Sequence, residues 1–183
     1  MKSDLPKVLF SICGKTLVEY VVDHARQAGF EKIVVVVGHG ADQVKAVLGD
    51  SVRYALQAEQ LGTGHAVMMA KDHVDTRHVI VLSGDAPLLA PDTLRSMARH
   101  HLEQGAAATV LTAVMDNPER YGRILRENNA PDGKVTGIIE ERDASPDQLM
   151  IKEINTGTYC FESDVFSVLD ECSRSDAGRQ NAQ

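Results

Sequence analysis

Apolar, β-branched runs that stop at glycines alternate with amphipathic segments along this chain, and that alternation limits its fold more than any other feature. Lys32 to Gly40 reads KIVVVVGHG. Four successive valines leave no polar face, so this run is expected to be a strand buried on both sides, as in a parallel sheet. Before it, Leu17, Val18, Val21, Val22 and Ala25 recur at helical spacing within Thr16 to Ala28, which Gly29 ends. After it come a short helix over Ala41 to Leu48, a strand at VRYALQ, a helix over Gly64 to Asp72 and a strand at HVIVLSGD. Pro91 to Gln104 follows as a helix with Leu94, Met97, Ala98 and Leu102 inward, and AATVLTAV as a further strand. This rhythm predicts an α/β layered sheet with right-handed crossovers.

The pattern changes after Asp116. GRILREN, KVTGIIEER and EINTGTYCFES are short strands between polar turns, a mixed lobe capping one edge of the sheet. The expected organisation is one domain of 183 residues, with a main part over 1–115 and a β-rich part over 116–183. With 43% hydrophobic residues the chain can bury a real core. The net charge of −7 argues against a broad nucleic-acid surface, while a local phosphate pocket stays open. No run reaches membrane length and no signal-type apolar segment opens the chain, which leads to the expectation of a cytoplasmic protein without a membrane partner. Cys13, Cys160 and Cys172 are widely spaced and lack metal-ligand spacing, so reduced, buried thiols are expected.

Ligands of such sheets bind beyond the carboxyl ends of the strands. Three polar motifs fall there. GHG at Gly38 to Gly40 is explained by turn glycines. LQAEQLGTGHAV, Leu56 to Val67, is either a helix entry with glycine for turn freedom or a loop whose amides and backbone read a planar ligand edge. In SGDAPLL, Asp85 follows an apolar strand and Pro87 turns the chain away. Asp85 is either a capping or turn residue, or a lone carboxylate suited to Mg²⁺ held mostly by water and phosphate oxygens. GxGxxG, GxxxxGK[ST], GxSxG and HExxH are all missing, which opposes dinucleotide oxidoreductases, P-loop kinases, serine hydrolases and zinc proteases. Of the adjacent His100 and His101, mid-helix, one is expected to pack and the other to face water.

Six ordered segments, SDLPKVL, LQAEQLGTGHA, GDAPLL, YGRILREN, KVTGIIEERDAS and EINTGTY, resemble the uridyltransferase (pyrophosphorylase) domain of a bifunctional bacterial family. Its members are the N-acetylglucosamine-1-phosphate uridyltransferases / glucosamine-1-phosphate acetyltransferases. The resemblance runs over nearly the whole chain. It implies a Rossmann-like nucleotide-sugar transferase fold of three layers, with a mixed, mainly parallel sheet and a small sugar-binding lobe. It also implies a transferase joining UTP to N-acetylglucosamine 1-phosphate, giving UDP-N-acetylglucosamine and pyrophosphate for peptidoglycan and lipopolysaccharide precursors.

The same resemblance carries residue roles. Gln57, Gly62 and Thr63 would contact uracil, whose imide edge needs both a donor and an acceptor. Ser83, Gly84 and Asp85 would form the strand-end segment, with Asp85 the ligand of Mg²⁺. Lys7 would meet the phosphates. Gly122, Glu140 and Asn155 would contact N-acetylglucosamine, Glu140 accepting from hydroxyls and Asn155 pairing with the acetamido group. Such a reaction needs no protein nucleophile, so positioning and charge neutralisation by Lys7, Asp85 and the metal would carry it.

Set against the family pattern, the chain reads as a domain truncated at both ends, without the first strand, the Gly-rich loop with its Arg, a second metal-ligand Asn and the acetyltransferase half. The expectation is little turnover from these 183 residues, with a catalytically inactive nucleotide-sugar-binding fragment as the alternative reading. Homo-oligomerisation would belong to the acetyltransferase half.

Overall fold

The computed structural model describes residues 5–171, and these form two compact units. The first comprises residues up to Ala108 together with the segment from Cys160 onward; the second is Thr109–Tyr159. The sequence division at 115/116 assigned everything after it to one lobe, whereas the segment from Cys160 returns to the first unit.

In the first unit, Lys7–Leu9 form a 3₁₀ turn and Ser11–Ile12 (β1) pairs with Lys15–Thr16 (β2) in a small hairpin. The hairpin turns at Cys13 (φ 49°) and Gly14 (φ 85°), two successive left-handed residues of the kind a tight antiparallel turn requires. Cys13 is therefore exposed, against the expectation of a buried thiol. Cys160 is buried as expected, and Cys172 lies outside the described residues.

Leu17–Gln27 (α1) starts on a reciprocal cap, the Thr16 hydroxyl accepting from the Glu19 amide while the Glu19 carboxylate accepts from the Thr16 amide. Val34–Val37 (β3) pairs in parallel with Arg53–Leu56 (β4), and Ala41–Leu48 (α2) is the crossover between them. Val37 of β3, Val18 and Val22 of α1 and Val44 and Leu48 of α2 make the core, with Leu9 packed in from the 3₁₀ turn and Val35 against it. The other two valines of β3 are only partly buried, short of the strand buried on both sides that the sequence suggests. Thr63–Met69 (α3) follows the polar loop after β4, and His78–Val81 (β5) is hydrogen-bonded to a later strand.

Pro91–Gln104 (α4) begins with its proline in the first turn and ends at Gly105 in the left-handed region. Leu94 and Met97 are buried as expected, but Leu102 is 57% exposed and His101 is fully buried. Seven residues on from Leu94, His101 lies within about 20° of the same face; eight residues on, Leu102 is about 80° around the helix. His100 is exposed, so the pair divides as expected.

The second unit contains antiparallel pairing, unlike the parallel β3–β4 pair of the first. After Ala108–Val114 (β6), Arg123–Arg126 (β7) pairs antiparallel with Val135–Ile139 (β8), shifting register between Leu125 and Arg126. A one-turn helix, Pro146–Leu149 (α5), is capped by Ser145. Glu153–Glu162 (β9) pairs with β6 and, at Ile154, with Arg123 of β7. Ile124, Thr158, Ile154 and Arg123 are among the most buried residues of the second unit, and Arg126 grips Glu153 through two bonds of 2.6 and 2.7 Å. The expected α/β class with mixed strand pairing is the one observed. No helix among the described residues is long and apolar enough to cross a membrane.

Candidate functional site

In the first unit, the ends of β3, β4 and β5 carry the three polar motifs, and tight backbone approaches hold them. A Cβ on Gly40 (φ 72°) would lie 2.3 Å from Pro6 Cγ, so the turn after β3 and the segment before Lys7 fit only without a side chain there. A Cβ on Gly38 would stand 3.2 Å from the Gln57 carbonyl oxygen. A Cβ on Gly84 would stand 3.3 Å from Val8, which places the turn after β5 against the same segment. His24 of α1 anchors the far side of that turn, its Nδ1 donating to the Leu89 carbonyl at 3.0 Å.

This packing brings Lys7 and Asp85 together across 78 residues of sequence: Lys7 Nζ donates to Asp85 Oδ2 at 2.5 Å. The Lys7 ammonium holds the Asp85 carboxyl below the usual carboxylate range; partial burial opposes this, and the Ser83 hydroxyl adds to it. Lys7 keeps most of its side chain in solvent, so its charge is available to an anion as well. A carboxylate offers two oxygens, one of which Lys7 engages here, and among the described residues no group of three His, Cys, Asp or Glu could hold an ion alone. Asp85 therefore fits a hard cation that keeps water and phosphate oxygens as its other ligands.

Gln57, one residue past β4, is half-buried and oriented by two contacts. Its Nε2 donates to the Gly62 carbonyl at 3.1 Å and lies 3.1 Å from His65 Nδ1. Gly62 (φ 99°) must be glycine to turn the chain into α3, which starts at Thr63. Gln57, Gly62 and Thr63 thus close one loop, with His65 as a member the sequence reading overlooked. The signal was present: His65 stands inside the quoted LQAEQLGTGHA, on the first turn of α3.

The second unit gathers Gly122, Glu140 and Asn155. A Cβ on Gly122 would lie 3.0 Å from Ile138 Cγ2 and 3.3 Å from Glu140 Oε1, so the glycine makes room for that carboxylate. The Gly122 carbonyl accepts from the Asn155 amide at 2.9 Å. Tyr159, also unforeseen, accepts from Asn155 Nδ2 at 2.6 Å. Residues four apart on a regular strand share a face but lie about 13 Å from each other; Gly157 between them is left-handed, at φ 75°, and the two side chains meet there.

The nucleotidyl transferase family model matches residues 2–182. Among curated relatives, the bifunctional protein GlmU of Bacillus velezensis is 50% identical over 180 residues, covering 97% of this chain and 39% of the relative. The protein of the same name from Exiguobacterium sibiricum is 52% identical over 167 residues, covering 90% of this chain and 36% of the relative. The chain thus spans about two fifths of the length of the curated relatives it matches. Among solved structures, an apo UDP-glucose pyrophosphorylase superposes with a TM-score of 0.74 at 19% identity, covering 91% of this chain and 72% of that one. HddC from Yersinia pseudotuberculosis superposes with a TM-score of 0.71 at 22% identity, covering 90% and 70%. At those identities the likeness speaks for the fold alone, a mixed α/β, Rossmann-like nucleotidyltransferase fold. The match along residues 2–182 establishes that the chain belongs to the nucleotidyl transferase family.

Proposed function

We propose that the chain is a uridyltransferase domain that joins UTP to N-acetylglucosamine 1-phosphate, releasing pyrophosphate and forming UDP-N-acetylglucosamine. The observation that carries this reading is the Lys7–Asp85 pair at 2.5 Å, a cation and a carboxylate that packing of distant segments brings together at the strand ends. That combination suits a triphosphate and its metal, because the lysine neutralises phosphate oxygens while the carboxylate holds Mg²⁺. The half-buried Gln57 amide beside the Gly62 turn suits a nucleobase edge, and Thr63 opens the following helix. In the second unit, Glu140 and Asn155 offer an acceptor and an amide for the sugar hydroxyls and acetamido group.

The chemistry asks little covalent work of the protein. A phosphate oxygen of the sugar phosphate bonds to the α-phosphorus of UTP, and the bond from that phosphorus to the bridging oxygen breaks, with pyrophosphate taking the electron pair. Mg²⁺, when bound, neutralises charge on the phosphates. Lys7 orients and neutralises the triphosphate; Ser83 and Gly84 shape the turn that presents Asp85; Gly122 leaves space for Glu140. A cytoplasmic role in cell-envelope precursor synthesis goes with this reading.

The test is pyrophosphate release, from the chain extended at both ends by family-like segments, with each of the four nucleoside triphosphates against N-acetylglucosamine 1-phosphate and glucose 1-phosphate. UTP with the acetylated sugar is expected to be the preferred pair. Lys7→Ala should lower kcat/KM for UTP by about tenfold or more through loss of one charge-assisted contact. Equal rates with UTP and CTP, or an unaffected Lys7→Ala protein, would refute the assignment.

A further inference from the structure

The amide of Gln57 has two chemically opposite ends, and which end faces outward decides what a ligand edge must offer. The Gly62 carbonyl oxygen only accepts, so the atom 3.1 Å from it is the amide nitrogen, donating one of its two protons. The second proton is directed at His65 Nδ1, 3.1 Å away. A neutral imidazole accepts at one nitrogen and donates at the other, so this contact makes His65 the Nε2–H tautomer. With both protons engaged, Gln57 has only Oε1, an acceptor, to present beyond the loop. A flipped amide would set two oxygens against each other at Gly62 and would need a proton on His65 Nδ1.

Gly62 turns into α3 with φ 99°, its carbonyl also accepts from the Ala66 amide at 3.1 Å, and His65 sits on the same helix, half-buried. One helix start therefore supplies both acceptors. The carbonyl holds the amide nitrogen, and the imidazole removes the freedom that a single bond leaves.

We propose that His65 is the positioning residue that sets base choice: it locks the Gln57 amide with its oxygen outward, selecting a pyrimidine with an N–H at the ring edge over cytosine, whose ring nitrogen is itself an acceptor. The inference rests on the reading of Gln57 as the nucleobase contact. It adds a residue that touches no substrate and acts through another.

Binding of UTP and CTP to the 183-residue chain and to the His65→Ala, His65→Asn and Gln57→Ala variants tests it, with the His65 tautomer of the unmodified chain read from ring-nitrogen NMR shifts. His65→Ala is expected to reduce the UTP-to-CTP affinity ratio by about fivefold to tenfold, the worth of about one neutral hydrogen bond. His65→Asn should restore the ratio, because its side-chain oxygen can accept where Nδ1 does. The NMR shifts should show Nδ1 bare and Nε2 protonated. A proton on Nδ1, or an unchanged ratio in His65→Ala beside a collapsed one in Gln57→Ala, overturns the role of His65 alone. If the unmodified chain does not prefer UTP, or Gln57→Ala keeps the preference, the reading of Gln57 itself fails and takes this proposal with it.

Discussion

Asn155 is held at both ends of its side chain by its own strand. Nδ2 donates to the Tyr159 hydroxyl at 2.6 Å, and Oδ1 accepts from the Gly157 amide at 3.0 Å, where the strand kinks at φ 75°. One amide proton and one lone pair are left to meet a ligand in a preset direction. Asn155→Ala should therefore reduce the preference for N-acetylglucosamine 1-phosphate over glucose 1-phosphate by about tenfold, since the partner group is left unpaired. Tyr159→Phe keeps the amide but frees it, so a few-fold rise in KM for the acetylated sugar phosphate with little change in kcat is expected. Steady-state kinetics with both sugar phosphates distinguishes the two effects.

Gly40 tests the packing behind Lys7. Alanine there combines a left-handed φ of 72° with a Cβ 2.3 Å from the Pro6 ring, so either the turn or the Pro6 segment must shift. The cost is expected to be about 1–3 kcal/mol of stability. Because Pro6 precedes Lys7, nucleotide affinity should fall too. Urea melts alongside UTP titrations would show it, and a Gly40→Ala protein matching the parent in both would contradict the described contact.

The Arg126–Glu153 pair makes the second unit sensitive to acid. The Arg126 hydrogen bond holds the Glu153 carboxyl below its ordinary value; burial opposes this, and Thr112 supports it. A lowered carboxylate pKa stabilises the fold at pH above the unfolded value and loses that contribution as pH falls through the folded one. Both side chains are mostly buried, at 22% and 18% exposure. Glu153→Gln should cost about 1–3 kcal/mol at neutral pH and flatten the stability loss below the ordinary glutamate range. Melts from neutral pH down to about pH 3, below the unfolded glutamate value of about 4.3, measure both.

His101 gives a second acid-sensitive element, in the first unit. It is fully buried, its ring packs edge-on to His78 with Nε2 3.2 Å from His78 Nδ1, and burial, with help from His78, pushes its pKa down while Glu162 pulls it up. Neutral His101 is the folded form. Stability is complete above the ordinary histidine value of 6.5 and declines as pH falls from there toward the lowered folded value. His101→Phe should lose part of that decline. The difference in urea midpoint between about pH 7.5 and pH 5.5, on either side of the unfolded histidine value, should shrink relative to the parent.

Much of the local architecture follows from short-range pattern. α2 over Ala41–Leu48 and α4 over Pro91–Gln104 match the sequence expectation residue for residue, because glycine or proline marks their ends and apolar periodicity their faces. The miss within α4 is instructive. Both His101 and Leu102 fit a loose helical stripe, and hydrophobicity favours leucine. His78 on β5 supplies His101 with a half-buried partner, and no local rule announces a partner 23 residues away. The β1–β2 hairpin was missed for a simpler reason, since two-residue strands carry no readable alternation.

The sequence by itself determined the α/β class, the order of the longer helices and strands and the membership in a family, because periodicity, turn glycines and long ordered motifs are properties of neighbouring residues. Only the tertiary structure decided which side chains act on one another. Lys7 meets Asp85, Gln57 is pinned by His65, Gly122 leaves room for Glu140, and Tyr159 holds Asn155. Those pairings depend on interatomic distances of a few ångströms between segments brought together by packing of the core and by strand register. A linear pattern names the candidates, but direction and distance arise only when the backbone closes around them.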